Sequence, residues 1–235
     1  MANFQPLHKE THGNVKLKKP TNVAGLKTTH ALGVVVQEFA LAGNQYPIAF
    51  VKDQSGEGYF PVAIMGLEQN KNLFVNDQDQ FEGMYIPARF THQPLSVVPN
   101  KDDATLFGIA IDMDHELVSE SEGEALFNED GSESETLETR KKALMAYVEN
   151  EHITKAFVDA VKQYDLFHEQ NLNVKVKDKE YNLTGLHLIN EKKLNELSDE
   201  AFLDLRKRGF LAPIFAVLGS MHQVTKLIRL QADKI

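Results

Sequence analysis

Residues 112–135, DMDHELVSESEGEALFNEDGSESE, hold ten carboxylates and not one Lys or Arg. Oxygen donors at that density suit two kinds of chemistry: capture of a hard cation, or attraction of a basic surface. The cation reading can be tested by register. An EF-hand loop requires D-x-[DN]-x-[DN]-G with a Glu at its last position. Counted from Asp112, the glycine falls on Leu117 and the final Glu on Gly123; counted back from Gly131, the first ligand falls on Leu126. Neither register supplies a site. HKETH, residues 8–12, sets His8 and His12 one helical turn apart, but the zincin pattern needs a Glu where Lys9 stands, and Gly13 and Asn14 argue against a helix there. No metal site is expected at either place.

Arg89 is the only Arg in the first 139 residues and lies among aromatics and prolines in MYIPARF. Its guanidinium is a rigid fork of donors matched to a carboxylate, a phosphate or backbone carbonyls. Two readings follow. In one, Arg89 makes an internal bridge to Asp112 or Asp114. In the other, Arg89, Tyr85 and the acids near Asp112 form a dispersed site. The chain has no Cys, so disulfides, thiol nucleophiles and Cys-based zinc sites are excluded. It also lacks Walker A, GxGxxG and GxSxG patterns, and no cofactor is expected.

The elements that would position these residues change along the chain. YPIAFVK (46–52) and YFPVAIMGL (59–67) are apolar, branched and aromatic runs joined by DQSGEG, which reads as an antiparallel hairpin. LFVN (73–76) and DATLFGIAID (103–112) read as further strands. Pro87, Pro94 and Pro99 leave room only for a short helix or extended pieces between them. From Glu135 to Phe167, apolar residues at helical spacing predict one long helix, or two meeting near Asn150. Leu172, Val174 and Val176 alternate with polar residues, the period of a half-buried strand, and KDKE turns into a second strand, YNLTGLHLI. Ser198 is a predicted N-cap, Gly209 a helix stop, and Pro213 opens a last helix whose stripe of Ile214, Val217, Leu218, Met221, Val224 and Ile228 is assigned to the core.

The fold class is therefore α+β, a β-rich N-terminal half with antiparallel hairpins packed with a mainly helical C-terminal half. One domain over 1–235 is expected. It divides into a basic N-terminal arm (1–30), a β-rich lobe (31–112), an acidic anchored loop (112–135) and a helical lobe (136–235) with a hairpin at 172–189.

Charge limits the partners. The protein carries 34 acids and 25 bases; outside 112–135 the remaining 24 acids nearly balance the bases. The negative field is thus local. It disfavours nucleic acid, whose binding depends on Lys and Arg, and favours a protein or peptide partner of basic character. No signal-peptide pattern opens the sequence, and its most apolar stretch, FLAPIFAVLG (210–219), is about half the length a membrane span requires. A soluble, cytoplasmic protein without membrane insertion is expected. The oligomeric state is open.

QYPIAF, PVAIMGL, NLFVNDQDQFEGMYIPARF, EGEALFNEDG, LNVKV and LTGLHLINEKKLNEL follow one another in an order and spacing that resemble the SapC family of bacterial proteins, across residues 30–230. The resemblance implies a bacterial accessory protein of peptide or protein modification systems, encoded beside halogenase-like and JmjC/cupin-like enzymes and TonB-dependent receptors. It brings no catalytic residues. The family label alludes to a surface layer, which is kept as an alternative, as is an enzyme around Arg89, Tyr85 and Asp112. The leading expectation is a non-enzymatic adaptor with Tyr85, Arg89, Glu124, Leu126 and Phe127 as binding residues. Within EGEALFNEDG, the apolar pair Leu126–Phe127 wants a pocket, its own or a partner's, while Glu120, Glu122, Glu124, Glu129 and Asp130 stay in water.

Overall fold

The structure is a computed structural model that describes residues 3–53, 55–99 and 107–235. In chain order, β1 (Phe4–Pro6), α1 (Lys9–His12), β2 (Lys16–Leu17), β3 (Ala31–Gly33) and α2 (Phe39–Gly43) lead into the hairpin β4 (Ile48–Lys52) and β5 (Tyr59–Ile64). Next come α3 (Ala88–Thr91), β6 (Leu95–Pro99), β7 (Phe107–Asp112), β8 (Val118–Ser119), β9 (Glu124–Ala125) and the long helix α4 (Glu135–Gln163). The chain finishes with β10 (Phe167–Glu169), β11 (Leu172–Val176), β12 (Lys179–Leu183), β13 (Leu186–Ile189), α5 (Glu191–Asn195), α6 (Asp199–Lys207), α7 (Leu211–Ser220) and α8 (Val224–Asp233). The class is α+β, with antiparallel sheets mostly early and helices late.

Helix ends follow the expected chemistry. Ser198 Oγ accepts the Ala201 N–H at 3.3 Å and caps α6. Gly209 closes it with a positive φ of 75°, and the Phe210 N–H returns to Leu205 O at 2.9 Å. That is the six-to-one bond of a Schellman end, sealed by two buried apolar residues. The same device ends α4, where Asp165 has φ 51° and Leu166 N–H reaches Val161 O at 3.0 Å. α4 is one helix through Asn150.

Four features differ from the sequence reading. HKETH does form one helical turn, α1. LFVN is not a strand: Val75 makes only an isolated bridge to Phe81, because Asn76 Oδ1 accepts the N–H groups of Gln78 and Gln80 and folds the chain back. YNLTGLHLI divides at Gly185, whose φ is 73°; β12 pairs with β11 while β13 joins another sheet. The last helix is two, α7 and α8, separated by a 3₁₀ turn at Met221–Gln223. Residues 103–106 of the expected fourth strand lie outside the described residues; the strand is observed from Phe107.

Contacts divide the chain into two compact units. Unit 1 comprises Met1–Thr21 and Ala88–Glu149. It holds the antiparallel sheet β1-β7-β6 and a second sheet, β8-β2-β9, around a core of Val15, Leu17, Leu95, Ile111, Leu126, Phe127, Leu137 and Leu144. Within the arm expected over 1–30, Phe4–Pro6 and Lys16–Leu17 are strands of these sheets. Unit 2 comprises Asn22–Pro87 and Asn150–Ile235. Its antiparallel sheet runs β10-β13-β4-β5-β3, with β11-β12 as a separate hairpin. Phe39, Phe50, Phe157 and Phe210 meet edge-on or stacked at centroid distances of 5.5–6.4 Å in its core.

Candidate functional site

The acidic segment is ordered by backbone pairing before it is ordered by charge. Lys16 and Leu17 of β2 pair with Ser119 and Val118 on one side and with Ala125 and Glu124 on the other. Gly123 makes this crossing possible. Its φ is 110°, and a Cβ there would lie 2.3 Å from Leu17 O, so only glycine fits. Leu126 is fully buried and Phe127 is 9% exposed, both inside the core of unit 1. The pocket that receives them belongs to this chain. Glu120, Glu122, Glu124, Glu129 and Asp130 remain exposed.

The first bases to meet these acids are the chain's own. Lys9 Nζ donates to Asp130 O (3.4 Å), Lys16 Nζ to Ser121 O (3.2 Å), and Lys19 lies 3.6 Å from Glu124. Lys141 pairs with Glu133 at 2.7 Å. Hydrogen bonds from Ser132, with Lys9 nearby, hold the Asp130 carboxyl below its ordinary range. All these groups face water, so each pair contributes little to stability. Glu124 also accepts from Thr136 Oγ1 at 2.9 Å.

The residues of the dispersed site fall in different units. Arg89 is exposed on α3 and Asp112 ends β7, both in unit 1; Tyr85 belongs to unit 2. Asp112 Oδ1 accepts the N–H groups of Asn3 (2.7 Å) and Asp114 (3.3 Å). Tyr85 is a node of a largely buried polar network. Its Oη donates to Glu38 at 2.5 Å, and its carbonyl accepts from Tyr46 Oη (2.5 Å) and Gln45 Nε2 (3.2 Å). Glu38, 6% exposed, also accepts the Val35 N–H at 2.9 Å. Burial pushes the Tyr46 phenol well above its usual range. Every donor here has an acceptor, which is how a buried polar group avoids its desolvation cost. In HKETH, His12 is buried and its Nδ1 sits 3.1 Å from the His8 N–H and 2.9 Å from Thr11 Oγ1, satisfied within its own turn. Among the described residues, no three His, Asp or Glu side chains gather as a metal site would require.

Unit 2 carries open apolar surface. Between α2 and α7 runs a groove of about 480 Å³, lined by Ala40, Gly43, Phe215, Ala216, Gly219 and His222 among others. Phe215 is 52% exposed, and Leu41 on α2 is 59% exposed. A Cβ on Gly219 would meet nothing, whereas Gly43 is held close by Ser220 and Ala216. Small residues of α2 and α7 thus share the groove with the polar Asn44, Ser220, His222 and Gln223, and Phe215 is its exposed aromatic. Helical spacing assigns one stripe of this helix to the core and carries no signal for the face opposite it. Ile214 and Val217 are indeed buried, but LAPIFAVLGS is apolar all round, and a helix apolar on both faces needs a second surface to cover it. The helical run Leu211–Asp233 also spans 23 residues, and its most apolar stretch is largely unburied. By length and composition it could cross a bilayer, whereas the sequence reading weighed only residues 210–219.

Comparison with known proteins gives one positive finding. A family model described as SapC matches residues 7–227, nearly the whole chain. No curated protein and no solved structure matches.

Proposed function

The chain belongs to the SapC family, and on that premise we propose that it is a binding protein, an adaptor that holds a protein partner for modification by another enzyme. The observation that carries this reading is the α2–α7 groove of unit 2. Phe215 and Leu41 stand exposed on α7 and α2, and the groove between these helices combines Gly and Ala with the polar Asn44, His222 and Gln223, the mixture of apolar anchor and polar rim that suits a protein interface. The small residues admit close approach of a partner helix, and Phe215 supplies the large anchor that dominates binding energy at interfaces. The setting implied by the family resemblance, beside halogenase-like and JmjC/cupin-like enzymes and TonB-dependent receptors, agrees with an accessory role. The proposal includes a cytoplasmic location.

A photo-reactive residue at position 215, compared in living cells with one at the exposed Met145 of unit 1, tests it. A protein crosslink formed from 215 and not from 145 supports the adaptor. Crosslinks to lipid would make the run 211–233 a membrane element, and crosslinks to a second copy would make the groove a dimer interface; either replaces the proposal. Recovery of the protein in a surface-layer fraction would end it as well.

A further inference from the structure

A second surface of unit 2 lies at the edge of the five-stranded sheet. β3 is the last strand in the order β10-β13-β4-β5-β3. Its register with β5 sets Ala31 opposite Ile64, Leu32 opposite Ala63 and Gly33 opposite Val62. Val34 N–H donates to Pro61 O at 3.1 Å, and His30 O accepts from Met65 N–H at 2.7 Å. Ile64 N–H is turned the other way, to Pro47 O at 2.9 Å. Antiparallel pairing alternates, so residues 30, 32 and 34 face β5, and the N–H and C=O groups of Ala31 and Gly33 point away from it. Among the described residues those outward groups have no hydrogen-bond partner. All three residues of β3 are partly exposed.

Beside this edge, on the face that carries the Ala31 side chain, opens a cleft of about 180 Å³. Val62, Ile64 and Leu186 supply its apolar part; His30, Asn182 and Thr184 supply polar atoms. A strand added to β3 would place the side chains opposite Ala31 and Gly33 on this same face, because directly paired residues point to the same side of a sheet.

We propose that β3 is a peptide-docking edge: an extended segment of a partner adds to it as a sixth strand through Ala31 and Gly33, and one of its side chains, an aromatic with a polar atom such as Tyr, enters the adjacent cleft. Main-chain bonds at the edge give affinity and the cleft gives selectivity, the division of labour found wherever peptides extend sheets. An aromatic ring fits an apolar floor while its polar atom meets the rim. The inference is independent of the α2–α7 groove.

The probe is a blocked peptide of alternating Thr and Tyr flanked by Lys for solubility. Its binding is read by fluorescence anisotropy and by amide hydrogen exchange of the full chain. The expected result is slowed exchange at the Ala31 and Gly33 amides, at least about tenfold weaker binding when the peptide's alternate amides are N-methylated, and a loss of similar size in Gly33→Pro. That substitution removes the outward N–H without touching a bond to β5. Thr184→Trp, at an exposed position beside the cleft, keeps the edge intact and should weaken Tyr-containing peptides but not an all-Thr control. If Gly33→Pro fails to fold, the N-methylated peptide and Thr184→Trp still decide. No binding of the probe, or binding with exchange at Ala31 and Gly33 unchanged, overturns the proposal. Phe215→Asp should leave peptide binding as it is, so that failure of this site and failure of the groove are separately visible.

Discussion

Unit 1 and unit 2 solve the burial problem at different scales. Among the described residues, unit 2 closes thirty buried apolar residues into one cluster, seven of them aromatic. Among the described residues of unit 1 the cluster holds eight, and Phe127 is its one aromatic. Small cores stabilise weakly because conformational entropy is lost by every ordered residue while burial grows only with size. Unit 1 compensates by threading: two-residue strands from remote parts of the chain interlock, and Leu126 and Phe127 are driven inward from an acidic loop. Unit 2 has apolar surface to spare and leaves some of it in water at α2, α7 and the β3 edge. The lesson is that the conspicuous charge of 112–135 belongs to the unit that is held together with most difficulty, and the inconspicuous apolar residues of α7 belong to the one with surface left to offer.

The comparison can be broken where the core is largest. Phe157→Ala removes a ring that touches Phe39, Phe50 and Phe210, and denaturant titration should show a loss of about 4 kcal/mol. Phe127→Ala should cost about 3 kcal/mol, since its pocket is intramolecular. Hydrogen exchange sharpens the contrast: the second change should deprotect amides of unit 1 and spare the β4–β5 hairpin. Uniform deprotection across both units would mean that the two do not open separately.

A smaller effect distinguishes the units by pH. Burial raises the Tyr46 pKa in the folded state above the ordinary phenol value of 10.0. The unfolded chain therefore gives up this proton first on alkaline titration. Stability from this group is complete below pH 10 and is lost as pH rises beyond it, by up to about 1.4 kcal/mol per pH unit. Tyr46→Phe should cost about 1 kcal/mol at pH 7 for the lost hydrogen bond and flatten the alkaline slope of unit 2. The slope would stay unchanged if Tyr46 were solvated. The smallest effect is expected from replacing Glu120, Glu122 and Glu129 together by Gln. Melting temperature should stay put in low and high salt, because the segment is held by β2 and its two apolar anchors.

Local chemistry was legible in the sequence wherever it acts over a few residues. The β4–β5 hairpin, the alternation of β11, the Ser198 cap, the Gly209 stop and the inward turn of Leu126 and Phe127 all follow from neighbours within a short window. What was not legible depends on remote partners. β2 is two residues long and has no periodicity to read; its identity as a middle strand exists only because residues near 118 and 124 come to it. LFVN has strand-like residues, yet an Asx-type turn at Asn76 outweighs them. At α7 the spacing of Ile214 and Val217 was correctly assigned to the core, but spacing cannot say whether Phe215 on the opposite face is covered. The β3 edge is a property of strand order, which no single segment encodes.

The threading of β2 also sets a timetable. Lys16 pairs with Ser119 and Ala125, so synthesis must run on for more than a hundred residues before either neighbour exists. At the ordinary pace of translation this is a wait of roughly 5–20 s. Throughout it, Val15 and Leu17 are bare apolar residues beside a run of lysines, with no core to enter. A trigger-factor-like chaperone, or any anionic surface near the exit tunnel, meets this segment before its own acidic loop does. Slowing translation between residues 20 and 118 should therefore lower the folded yield of unit 1 more than that of unit 2, whose β4–β5 hairpin closes across a six-residue turn as soon as it emerges.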